Sequence, residues 1–184
     1  MNTILHADRK KRAWNELIPA KERKRVYAAA LLTGVLVLAG MLYLLQQSGY
    51  HTRGFKGIFK NYGSLARLVL FFVLANYVLL LMLRKKLLDR LSPLKKAAVA
   101  LSRFVRKWHT PAALIAIGLI VLHIAAVFMY GFVWDFHNIS GLLALAALLP
   151  VPVSGLFRYK KPDRSWHLGS GLAFAVLFLI HAFI

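Results

Sequence analysis

Two histidines, His109 and His123, stand fourteen residues apart in a segment that opens Trp108-His109, and the spacing recurs between His167 and His181 in a segment that opens Trp166-His167. A neutral imidazole offers a nitrogen lone pair to a metal and is a strong axial ligand for haem iron. Both segments are strongly apolar, and His123 and His181 lie deep within them, in VLHIA and LIHAF. An ionisable ring among lipid tails is costly and points to function. On a helix, at about 100° per residue, fourteen steps fall about 40° short of four turns, so each pair shares one face, roughly 21 Å apart along the axis. Two such helices hold ligands for two metal centres at two depths.

The elements that carry these residues are membrane spans. A span needs about 20 mostly apolar residues, and five segments qualify: 26–46, 66–83, 109–133, 139–157 and 165–184. In lipid every backbone polar group must be satisfied within its own segment, so an all-α, five-helix integral membrane protein is expected. Lys and Arg number 25 against 6 Asp and Glu, for a formal net charge of +19. Such an excess resembles a nucleic-acid signal, but its distribution follows the membrane. Residues 1–25, the connection 84–107 and the connection 158–164 are densely basic; the first connection has only Arg53, Lys56, Lys60 and Arg67, and the third has none. The positive-inside rule then places the N-terminus in the cytoplasm and the C-terminus outside, in the cell inner membrane, and leaves no call for a nucleic-acid partner. Trp14, Trp108, Trp134 and Trp166 fall at the expected interfaces, as an aromatic belt requires. There is no Cys, so neither a disulfide framework nor a thiolate metal site is available.

Residues 1–25 read as a basic tail, helical around 14–18, and the first span as a retained anchor rather than a signal peptide. Between the second and third spans, Leu87, Leu91, Leu94, Ala98, Leu101 and Val105 recur at helical spacing among basic residues. An amphipathic segment 85–107 lying in the inner interface is expected, with Pro93 breaking or starting a turn. Residues 48–64, with Tyr50, Phe55, Phe59 and Tyr62 among the cations, are expected to form an interfacial outer connection. Pro150 and Pro152 kink or end the fourth span.

One span separates the third from the fifth, so these two run in the same direction. His109 then lies level with His167 near the inner face, and His123 with His181 nearer the outer face. Bis-histidine ligation of two b-type haems fits this order; a non-haem metal or transport site and a cofactor-free histidine ladder are the alternatives. The spans hold almost no carboxylates, which disfavours the former. Small residues on the ligand helices (Ala112, Ala113, Ala116 and Gly118; Gly169, Gly171, Ala173 and Ala175) leave room for a porphyrin or for close helix packing. Arg103, Arg106, Lys107, Arg158 and Arg164 could meet inner propionates, and Arg53, Lys56 and Lys60 outer ones. His137, beside Asp135 in WDFHN, is a weak candidate for proton handling or substrate contact; His51 is weaker still, and His6 lies in the tail.

The paired histidines on the third and fifth spans, with a cytoplasmic N-terminus, resemble the ferric-reductase-like transmembrane domain, the superfamily of ferric reductases and NADPH oxidases, and more loosely the membrane cytochromes b of the b561 type. The resemblance covers about residues 26–184 and rests on four histidines and a helix order. It implies one haem held by His109 and His167, another by His123 and His181, and transmembrane electron transfer as part of an oxidoreductase. Family members commonly add a sixth span and flavin and nicotinamide domains. This sequence has no GxGxxG turn and stops three residues after His181. Electrons are therefore expected from a partner protein or a diffusible donor such as quinol.

Overall fold

The computed structural model describes Ile18 and residues 20–156 and 161–184, with the backbone alone at 156 and 161–164. The expected tail helix, Trp14 and His6, together with Arg158 and the side chain of Arg164, lie outside the described residues. The described residues are helical, without a strand: α1 (Ala20–Leu45), α2 (Arg53–Arg84), α3 (Ser92–Tyr130), α4 (Phe136–Leu148), α5 (Pro150–Leu156) and α6 (Lys161–Phe183). Five segments are long and apolar enough to cross a membrane, with α4 and α5 together forming the fourth. Each span carries large apolar side chains more than half exposed, among them Leu31, Leu68, Phe128, Leu143 and Val176. Apolar faces of this extent need an apolar solvent around them.

The chain divides into two compact units, one spanning Arg25–Phe132, the other containing Val133–Ile184. In the first unit α2 and α3 pair antiparallel, as the contacts of Phe59 with His123 and of Phe72 with Phe104 show. Leu44, Phe55, Leu122 and Ala126 form its buried centre, flanked by Tyr50, Phe59, Tyr62 and Tyr130. α1 docks on α3 through two glycines. A Cβ at Gly40 would stand 2.5 Å from Leu122, and one at Gly118 would stand 2.6 Å from Thr33. A further contact compensates a proline. Pro111 lies inside α3 and has no N–H to give the carbonyl four residues before it. That carbonyl, of Lys107, instead accepts from the Arg25 guanidinium at 3.1 Å.

Helix boundaries differ from the sequence expectation in two places. The outer connection 48–64 is helical from Arg53, because Thr52 caps α2, its Oγ1 accepting from the Phe55 N–H at 3.3 Å. Phe55, Phe59 and Tyr62 then recur at helical spacing against the core. Segment 85–107 is not separate from the third span: after a turn, α3 runs unbroken from Ser92 to Tyr130. Pro93 sits in its first turn, where a missing N–H costs nothing. At 39 residues, α3 is about 58 Å long, well beyond a hydrocarbon core of about 30 Å.

In the second unit α6 packs antiparallel against α4 and α5. Asp135 caps α4, its carboxylate accepting from the Asn138 N–H at 2.8 Å. The proline pair interrupts the span at Leu149, and the helix resumes at Pro150.

Candidate functional site

His109 and His123 lie on α3, His167 and His181 on α6, and all four are partly buried. Continuous helix between the members of each pair places both on one face, as the spacing requires. Each unit thus carries one complete pair.

Three of the four rings are held in the same way, by a carbonyl and a glycine of the opposing helix. His123 Nδ1 lies 2.8 Å from the Phe59 carbonyl oxygen, and a Cβ at Gly63 would stand 3.0 Å from the ring. His181 Nδ1 lies 3.0 Å from the His137 carbonyl, with Gly141 leaving only 2.9 Å for a Cβ. His167 Nδ1 lies 3.1 Å from the Val151 carbonyl, and Gly155 leaves 3.3 Å. In each case the glycine follows the carbonyl residue by four, one helical turn on.

Two serines complete the contact in the second unit. Ser140 Oγ donates to the His137 carbonyl at 2.8 Å and lies 3.3 Å from His181 Nδ1. Ser154 Oγ donates to the Val151 carbonyl at 3.0 Å and lies 3.2 Å from His167 Nδ1. A carbonyl only accepts, and a hydroxyl whose proton goes to that carbonyl can only accept from the ring. Nδ1 is therefore the protonated nitrogen of the neutral ring at His123, His167 and His181. Nε2 carries the lone pair. This is the orientation in which a histidine binds a metal, its second nitrogen fixed by an outer hydrogen bond. The donor set suits haem iron, which takes two imidazoles. Among the described residues, no three His, Asp or Glu side chains gather as a non-haem metal site would require.

The small residues expected to make room on the ligand helices divide in role. Gly118 packs against α1, and Ala116 is fully buried. Gly169 and Gly171 face open space. The glycines that touch the rings lie on the opposing helices and escaped the sequence reading. Their signal was available: Ser140-Gly141 and Ser154-Gly155 are fourteen apart, the same step as His167 and His181. Arg53, Lys56, Lys60, Arg103, Arg106 and Lys107 are exposed, and Lys56 Nζ lies 6.0 Å above the Tyr130 ring centroid.

His137 is exposed and its ring lies tilted against that of His181, with centroids 4.4 Å apart and an interplanar angle of 32°. His51, also exposed, places Nδ1 2.6 Å from the Tyr130 carbonyl. No protein-family model, curated protein or solved structure matches this chain.

Proposed function

We propose that this protein is a membrane cytochrome b that carries electrons between the two faces of the cell inner membrane through two b-type haems. His109 and His167 bind one iron, and His123 and His181 the other. The carrying observation is the set of Nδ1 hydrogen bonds at His123, His167 and His181, which fix the tautomer that carries its lone pair on Nε2, the ligating form of the ring. Haem iron held by two imidazoles supplies reversible one-electron exchange without an open coordination position.

The chain's own residues orient and insulate. The Phe59, Val151 and His137 carbonyls fix the tautomer and resist rotation of each ring. Gly63, Gly141 and Gly155 let the opposing backbone approach the rings closely enough for those bonds. The apolar spans exclude water, and exposed cations at Arg53, Lys56, Arg103 and Arg106 are available to propionates. The basic excess in 84–107 supports a cytoplasmic N-terminus. Electrons enter from a partner protein or a membrane quinol.

Protein purified from haem-replete cells should show six-coordinate low-spin haem absorption that narrows and shifts on dithionite reduction, with two haems per chain. A folded, colourless preparation would overturn the proposal in favour of a metal permease or an assembly subunit.

A further inference from the structure

We infer that His51 is the proton-accepting residue of a quinol-binding site at the end of the first unit; this rests on the two-haem reading. His51 sits between α1 and α2, its ring exposed and its Nδ1 2.6 Å from the Tyr130 carbonyl. Because the carbonyl only accepts, Nδ1 holds the proton and Nε2 presents its lone pair on an exposed ring. The ring is thus fixed by the same kind of bond as the ligand histidines, but outside the apolar spans. A Cβ at Gly131 would stand 3.7 Å from the His51 ring, and Gly131 has φ +117°, a conformation that strains any residue with a side chain. The backbone beside His51 therefore stays bare.

A row of aromatic rings runs inward from this point. Centroids are 6.5 Å apart from His51 to Tyr130, 5.3 Å from Tyr130 to Phe59 and 6.1 Å from Phe59 to His123. The row ends on a proposed haem ligand. Tyr50 packs edge-on against Phe55 at 5.3 Å beside it. A hydroquinone is a flat ring with a hydroxyl donor at each end, dissolved in the bilayer. Aromatic faces and one fixed acceptor match it. Residues 48–64 and 130–132 hold no Asp or Glu and only one His, so His51 is the only imidazole or carboxylate there to take the proton.

In the step, both O–H bonds of the hydroquinone break. One proton passes to His51 Nε2 and the other to water. The quinone and two electrons are the other products, and two ferric haems, where bound, would be the one-electron acceptors.

The test uses His51→Asn, which keeps an N–H donor for the Tyr130 carbonyl and lacks the outer acceptor. An azidoquinone photolabel should attach to residues 49–56 or 127–132, in haem-loaded and haem-free protein, and excess decylubiquinone should displace it. The rate of haem reduction by decylubiquinol should fall about 100-fold in His51→Asn, the usual effect of losing a general base, with the dithionite-reduced spectrum unchanged. Equal rates in both proteins, labelling elsewhere, or reduction by ascorbate but not by decylubiquinol would overturn the inference. Absence of any haem spectrum in the wild type would end the two-haem reading, and the photolabel map would still decide whether a quinone binds beside His51.

Discussion

The second unit supports both of its histidines alike: carbonyl, serine and glycine at His137, Ser140 and Gly141 for His181, and at Val151, Ser154 and Gly155 for His167. The first unit does so at one depth only. Phe59 and Gly63 support His123, but fourteen residues further along α2 the corresponding positions are Val73 and Tyr77, and the place of the serine is taken by Asn76. There is no glycine there, and the buried Asn76 Oδ1 accepts no hydrogen bond among the described residues. The same helical step thus generates a repeated support in one hairpin and a single one in the other. Of the four histidines, His123, His167 and His181 each face a glycine of the opposing helix.

The largest effects should come from the ligands. His123→Ala or His181→Ala should each lose one haem and leave the other, read as one haem per chain by the reduced pyridine complex; retention of both would break the proposed pairing. Next come the glycines. Gly141→Ala places a Cβ 2.9 Å from the His181 ring and Gly63→Ala 3.0 Å from His123, against 3.3 Å for Gly155→Ala. Haem content and low-spin character should fall more in the first two than in the third. Equal tolerance at all three would show that close approach at these glycines does not matter.

A smaller effect tests what the first unit has and the second lacks. Arg25→Met removes the donor to the Lys107 carbonyl that Pro111 leaves without a helical partner. It should lower stability by about 1 kcal/mol, seen as a lower Tm in detergent; in a Pro111→Ala background the loss should shrink, because the helix then supplies the missing N–H. The smallest change is expected for Ser140→Ala and Ser154→Ala. The carbonyls still orient the rings, so both haems stay bound while one potential in each variant moves by about 20 mV, equivalent to roughly 0.5 kcal/mol for one electron. A redox titration resolves it, and the two variants should move different haems.

Much of this arrangement was legible in the sequence. The five spans follow from composition, because a run of some twenty apolar residues has no other use for its backbone in lipid. The faces of α3 and α6 follow from the fourteen-residue step, because helical period is local. The end of α2 was not, because the aromatic and basic residues of 53–64 suit an interface as well as a helix, and Thr52 decides between them by capping. The length of α3 was also hidden, since an amphipathic basic stretch and an apolar span look like separate elements until Ser92–Tyr130 proves continuous.

By itself, then, the sequence determined the helices, their apolar character and the placing of two histidines on each of two faces, all consequences of short-range periodicity. Only the tertiary structure decided which carbonyl each ring meets, which ring nitrogen faces that carbonyl and which glycines the rings pack against. Those depend on the antiparallel register of one helix against another, set by turn geometry and interlocking side chains far apart in the chain. Gly63 and His123, sixty residues apart, meet only because that register brings them together.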